Sequence, residues 1–196
     1  MILRTTGADV AEQAKTGGYL GIPYSKYDCQ AFVEQVLKDL GVRRPDGKPY
    51  NWRGSNAMFR QEITWRGTID ECIQKFGCIP LGAFVFKVKF DGGEAERGYH
   101  DALGNATHVG LYVGGTPNPV MDSQPTGGIR FRKLSIFTHV GLMSMIDYAT
   151  APEPPSDPDE ENALKAVKML RGNTCTDREY LEALKTLTKY LKEDKL

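Results

Sequence analysis

The sequence predicts a mixed α+β fold, and three observations lead to this prediction. Apolar residues recur at helical spacing over residues 32–40. Short β-rich runs separated by Gly, Pro and Asp follow over residues 80–148. A Pro- and acid-rich stretch, residues 151–159, then precedes a second helical pattern. The predicted organisation is one domain of ordinary size over 1–150, a linker over 151–160 and a helical hairpin over 161–196.

Composition excludes several classes of function. The 196 residues include 25 basic and 25 acidic side chains, and no basic stripe is present, so we expect neither a nucleic-acid nor an anionic-membrane partner. The first residues lack the apolar run of a signal peptide, and no later run has the length of a membrane span. We therefore expect synthesis in the cytoplasm without a signal peptide.

The first strong helix is predicted to begin at Cys29. Asp28 stands where a helix N-cap stands, and its carboxylate either caps the helix or receives a positively charged substrate group. Gly41 is placed to end the helix. A helix N-terminus favours a thiolate, which makes Cys29 a candidate nucleophile. The alternative is that Cys29 is a small buried apolar residue, as most unpaired cysteines are.

The other cysteines do not suggest a metal or cofactor site. Cys72 and Cys78 are separated by five residues and have no second pair nearby, and Cys175 lies far downstream. Cys72 falls in an amphipathic run, residues 69–76, that Gly77 closes as a helix. We expect reduced thiols, with no metal and no cofactor.

Residues 40–63 are predicted to be irregular because Gly, Pro, Asn and Arg are frequent there. Asn51, Trp52 and Arg53 are grouped in this segment. Two interpretations are open: the segment forms a wall of a substrate groove, or it is a surface loop pinned by one buried Trp.

Five strands are predicted from β-rich or alternating runs bounded by turn residues. They are residues 80–88, 107–115, 120–123, 129–131 and, as the closing strand, 143–148.

Two of these strands carry candidate partners for a nucleophile. His108 stands at the start of its strand, where a general base can lie beside a groove. Asp122 emerges from an apolar strand and is suited to fix the tautomer of a histidine. The alternatives are a structural histidine and an ordinary turn acid. Residues 138–142 repeat residues 107–111 letter for letter, so His139 competes with His108 for the role of base.

Four segments together resemble the NlpC family of papain-like cell-wall cysteine peptidases. Residues 28–33, D-C-Q-A-F-V, resemble the family signature D-C-S-G-F-V. Residues 81–86, 108–114 and 120–123 resemble its three following strand motifs in the same order. The resemblance covers about residues 15–148, and the co-occurrence of four segments makes it specific.

The resemblance implies a papain-like core, in which a helix carrying the nucleophile packs on an antiparallel sheet of five or six strands. It also assigns roles. Cys29 is the nucleophile, His108 the base and Asp122 the residue that orients the imidazole, while Tyr24 helps to bind the oxyanion and Asp28 receives the free amine of a peptidoglycan stem peptide. His139 falls where the family has only a closing strand.

The implied activity is hydrolysis of amide bonds in peptidoglycan stem peptides, for example the D-glutamyl–diamino acid bond. Gln30 and the following Ala replace the family's Ser and Gly, and the loop before Asp28 is short, so the bond cleaved stays open. Without a signal peptide, such an enzyme would suit a phage or prophage lysin that reaches the wall after release or within a phage particle. Two other classes remain: a wall-binding or structural phage-tail module, and an amidase or acyltransferase that uses the same thiol.

The helical hairpin predicted at residues 161–196 is too small to bury much apolar surface alone. We expect it to dock on the first domain, to pair with another copy, or to bind a wall or phage component.

Overall fold

The computed structural model describes residues 5–90, 99 and 101–148 and has an α+β fold. Its elements in chain order are α1 Gly7–Thr16, α2 Cys29–Asp39, α3 Ser55–Arg60, β1 Ile63–Thr68, α4 Ile69–Phe76, β2 Phe84–Lys89, β3 Asn105–Tyr112, β4 Val120–Gln124, β5 Gly128–Arg132 and β6 His139–Met143. A 3-10 turn spans Leu134–Ile136. Within these ranges, no helix has the length and apolar character needed to cross a membrane.

The six strands form one open sheet in the order β1-β6-β2-β3-β4-β5, and every neighbouring pair is antiparallel. The predicted α+β class and the antiparallel sheet are therefore confirmed. The strands that follow one another from β2 to β5 are also neighbours in space, which is the usual outcome for short connections.

Both faces of the sheet centre are buried. Phe84 and Phe86 of β2 belong to the core shared with α2, whereas Val85 between them packs in a second cluster with Cys72 of α4 and with Phe137. Successive strand residues point to opposite faces, so a central strand covered on both sides needs a continuous apolar run. This explains why residues 84–86 read as uniformly apolar rather than alternating.

The predicted helix at Cys29 is confirmed, and its ends have the expected chemistry. Asp28 is the N-cap, with Oδ1 accepting a 2.8 Å hydrogen bond from the backbone N–H of Ala31. Gly41 follows the helix with φ +71°, a left-handed conformation that glycine adopts without a Cβ penalty. The second predicted helix, α4, is confirmed as well, and it ends at Gly77 with φ +73°.

Three elements lie where the sequence did not predict them. Helix α1 has a capping box in which Thr6 and Asp9 bond reciprocally, but few apolar residues mark its face. Helix α3 lies within residues 40–63, which were expected to be irregular, so that expectation is wrong for residues 55–60, and strand β1 begins at Ile63, where that segment ends. Strand β1 contains Arg66 and Gly67, which are weak strand formers, and it is held by pairing with β6.

The closing strand was also predicted at the wrong place. It is His139–Met143, in which Val140 and Leu142 share the face packed on α4, while a turn follows at residues 144–145 and Asp147 forms a single β-bridge with Thr6. Pairing with both β1 and β2 fixes this position, and its one local sign is that residues 138–142 repeat the letters of residues 107–111, which were predicted as a strand.

The chain divides into two units between Ala151 and Pro152. The predicted linker, 151–160, and the predicted hairpin, 161–196, lie outside the described residues, as do Cys175 and His100.

Candidate active site

Cys29 is the first residue of α2 and is 8% exposed. The free N–H groups of the first helical turn stabilise negative charge at this position. One of them is satisfied by Asp28, whose side chain is exposed beside Cys29. The fold therefore holds a thiol at a helix N-terminus with a carboxylate on its solvent side.

The loop before Cys29 is hydrogen-bonded to β4 and to the edge strand β5. Ser123 of β4 donates its hydroxyl hydrogen to the carbonyl of Tyr27 at 2.6 Å. Ile22 and Gly21 form two 2.9 Å backbone hydrogen bonds with Ile129 of β5. A Cβ on Gly128 would lie 2.2 Å from the Ile22 carbonyl oxygen, so this close approach requires glycine.

Tyr24 of this loop reaches the thiol. Burial raises the pKa of the Tyr24 hydroxyl, and the neighbouring Cys29 and Asp28 raise it further, with Cys29 also hydrogen-bonded to it. A phenol that stays protonated beside a thiol is a hydrogen-bond donor at the place where an oxyanion would form.

His108 and Asp122 form the second half of the site. Their strands pair with Gly110 opposite Asp122, so His108 and Asp122 lie on the same face of the sheet. His108 Nε2 is 2.7 Å from Asp122 Oδ2, and the two side chains are 14% and 0% exposed. The opposite edge of the ring, with Nδ1, is then left for the Cys29 thiol.

The protonated form of His108 is strongly favoured. Burial alone lowers the pKa of His108, but hydrogen bonds to Asp122 and Cys29 and the negative charges of both groups raise it from 6.5 to about 9. The structure thus brings Cys29, His108 and Asp122 together, with Tyr24 and Asp28 beside the thiol. This arrangement suits a thiolate–imidazolium pair.

Gly110 makes room for this arrangement. A Cβ at position 110 would lie 2.9 Å from the Met121 carbonyl oxygen and 3.1 Å from the Cβ of Asp122. The space between His108 and Asp122 on this face therefore depends on the absence of a side chain.

Gln124 belongs to the same cluster and was not singled out from the sequence. Its Nε2 lies 2.5 Å from Asp122 Oδ2 and 2.8 Å from His108 Nε2. The one available signal was its spacing, because residues 122 and 124 of a strand share a face.

His139 does not share this site. Phe86 of β2 pairs with Val109 on one side and with His139 on the other, so the repeated pentapeptides are offset by one residue. A one-residue offset sends a side chain to the opposite face. His139 instead makes ring contacts with Phe59 and Phe90 at centroid distances of 6.0 and 5.9 Å.

The segment around Trp52 is clamped to α2 next to Cys29. Gln30 donates to the Trp52 carbonyl at 2.5 Å and accepts from the Gly54 N–H, while Glu34 accepts from the Trp52 N–H at 2.5 Å. Trp52 is 4% exposed and stacks on Tyr50 with a ring centroid distance of 4.6 Å. The segment is therefore pinned by a buried Trp and also lies along the first turns of the nucleophile helix.

Within residues 5–90, 99 and 101–148, no group of three or more His, Cys, Asp or Glu side chains is arranged to hold a metal ion. Cys72 is buried, and burial raises the pKa of its thiol to about 11, with the nearby Cys78 adding to the effect.

No protein-family model, no curated protein and no solved structure matches this chain.

Proposed function

We propose that residues 1–150 form a papain-like cysteine peptidase of the NlpC type that hydrolyses amide bonds in peptidoglycan stem peptides. The single observation that carries the proposal is the convergence of Cys29, His108 and Asp122, which come from a helix and two strands. A helix packed on an antiparallel sheet, with the thiol at the helix N-terminus, supports it further.

The chemistry follows from the positions of these groups. The Cys29 thiolate attacks the carbonyl carbon of the substrate amide, and the negative charge that develops on the oxygen is bound by the Cys29 N–H and the Tyr24 hydroxyl. The C–N bond then breaks, and the His108 imidazolium gives its proton to the leaving amine. Water attacks the thioester, His108 takes a proton from it, and the carboxylic acid leaves while the thiolate re-forms. Asp122 keeps its bond to Nε2 throughout and holds the ring in position.

Asp28 points the proposal toward a substrate with a free amine. Its Oδ1 is used by the helix cap, and the residue is exposed next to Cys29 in the chain, so its other carboxylate oxygen is available to a ligand. A stem peptide freed from its sugar offers such an amine, and a D-glutamyl–diamino acid bond would then lie at the thiol. An enzyme of this kind would act on the bacterial wall after release or as part of a phage particle.

The test is digestion of purified sacculi and of defined stem peptides, with products identified by mass spectrometry. Wild-type protein and a Cys78→Ala control should release the same peptide fragments, because Cys78 lies beside Cys72 at the end of α4 and not at the N-terminus of α2. The Cys29→Ala variant should release none.

Two results would replace the proposal. Wall binding without any fragment release by the wild type would indicate a non-catalytic wall-binding or phage-tail module. Transfer of an acyl group to an amine, in place of hydrolysis, would indicate an acyltransferase that uses the same thiol.

A further inference from the structure

We propose that Gln124 is a positioning residue of this site, which holds Asp122 Oδ2 in place and shields the His108–Asp122 hydrogen bond from water. This inference rests on the proposed function for its biological meaning. Its physical content concerns only the state of His108.

The first observation is the geometry around one carboxylate oxygen. Asp122 Oδ2 receives both His108 Nε2, at 2.7 Å, and Gln124 Nε2, at 2.5 Å. Asp122 Oδ1 is buried and has no hydrogen-bond partner among the described residues; the closest cation is Arg132, with Nε at 4.0 Å. Within the described residues, therefore, Oδ2 is the carboxylate oxygen that accepts hydrogen bonds, and its donors are His108 and Gln124.

The second observation is where Gln124 lies. Gly110 pairs with Asp122 on antiparallel strands. Gln124, two residues after Asp122, therefore lies opposite His108, two residues before Gly110. On the other side Gln124 pairs with Gly128, which has no side chain, and the guanidinium of Arg130 folds over Gly127 instead. Gln124 is half-buried while Asp122 is fully buried, so the Gln124 amide is the outer layer over the His108–Asp122 bond.

Exclusion of water strengthens the interaction between His108 and Asp122. An imidazolium–carboxylate pair attracts more strongly when water is kept away, because water screens the charges and competes for the carboxylate. Gln124 thereby keeps Asp122 Oδ2 where the Nε2 edge of His108 meets it, which leaves Nδ1 for Cys29. A variant with no side chain beyond Cβ at 124 opens this bond to solvent.

Other charged groups near His108 stay the same in such a variant. They are Cys29 on α2, Asp122 on β4, Lys87 as the cross-strand neighbour on β2, and Arg130 and Arg132 on β5. A change in the titration of His108 can then be assigned to position 124.

The experiment is an NMR titration of the His108 ring, assigned with a His108→Gln variant, in wild type, Gln124→Ala and Gln124→Glu. We expect Gln124→Ala to lower the His108 pKa by about one pH unit, and Gln124→Glu, which places a second carboxylate beside the ring, to raise it.

The matched control is Gln35→Ala, because Gln35 bonds only Asp39 on the exposed side of α2. It should leave the His108 titration unchanged. An unchanged titration in both Gln124 variants overturns the inference, and so does a lowered melting temperature without any change in titration. If Gln124→Ala does not fold, a Gln124→Glu variant with the wild-type titration overturns it alone.

Neither readout uses a substrate. Sacculi that remain uncleaved, together with the expected shifts, would reject the proposed function and leave the positioning role of Gln124 in place.

Discussion

The pH dependence of stability gives the sharpest test of the His108–Asp122 pair. The perturbation is Asp122→Asn, which keeps the shape of the side chain and removes its charge. Asp122 is fully buried and His108 is 14% exposed, so solvent screens their interaction little. Deprotonation of His108 leaves the Asp122 carboxylate buried with the Gln124 amide as its hydrogen-bond donor and Arg132 4.0 Å away, which is costly.

The magnitude comes from the titration of His108. Its pKa rises from 6.5 to about 9 in the folded protein, so the folded state binds the proton more tightly than the unfolded chain. The resulting stabilisation is fully present below pH 6.5 and is lost as the pH rises through about 9. At ~1.4 kcal/mol per pH unit, the whole shift corresponds to about 3–4 kcal/mol of unfolding free energy, of which Asp122 supplies one part and Cys29 the other.

The assay is urea denaturation under reducing conditions at intervals from pH 6 to above pH 9. We expect wild type to exceed Asp122→Asn by the largest margin at pH 6, and the two curves to converge above pH 9. An Asp46→Asn variant, which alters an exposed carboxylate 3.8 Å from Arg44, should follow wild type throughout. Parallel curves for wild type and Asp122→Asn would show that the pair does not control the charge of His108.

Five further variants separate the roles of individual residues. His108→Ala should lower kcat by about 10²–10⁴-fold on stem peptides, whereas His139→Ala should keep wild-type activity; equal losses in two folded variants would refute the assignment of the base. Tyr24→Phe should lower kcat by about 100-fold with little change in KM, as expected for loss of an oxyanion donor; a change confined to KM would contradict that role. Asp28→Asn keeps a capping oxygen and should retain the melting temperature while raising KM for peptides with a free amine; unchanged KM would exclude amine binding. Gly110→Ala should reduce the unfolding free energy by ~1–3 kcal/mol because its Cβ meets the backbone of β4; wild-type stability in urea would show that the strands move apart freely.

The parts of the fold that the sequence predicts are those with strong local chemistry. Helix α2 has a capping aspartate, an apolar face and a closing glycine, so its start at Cys29 could be placed to the residue. Helix α4 likewise ends at a glycine, Gly77, in the left-handed conformation. Helix α1 and strand β1 lack an apolar pattern, and their position depends on contacts with distant residues, so local patterns did not find them.

The site was predictable to the extent that it depends on the order of strands. His108 and Asp122 lie on successive antiparallel strands, which usually become neighbours, and their approach follows from that pairing. Gln124 sits at the end of its strand before a turn and reads as a turn residue. The clamp that Gln30 and Glu34 make uses backbone groups of a segment 18 or more residues away, and no sequence pattern marks backbone partners.

The two identical pentapeptides have a consequence for the order of folding. Residues 108–111 of one copy and 139–141 of the other pair with opposite edges of β2, so β2 pairs with parts of both copies. A chain in which β2 has met only one of them has no local basis for choosing the correct edge. The choice depends on outer contacts, namely β4 beside β3 and β1 beside β6, and on the bulge next to Lys87. Because β1 and β6 are far apart in sequence, that contact forms at a high cost in chain entropy. Strand β3, which carries the candidate base, therefore reaches its place beside β2 because the whole sheet assembles. Its own five repeated residues do not separate it from β6.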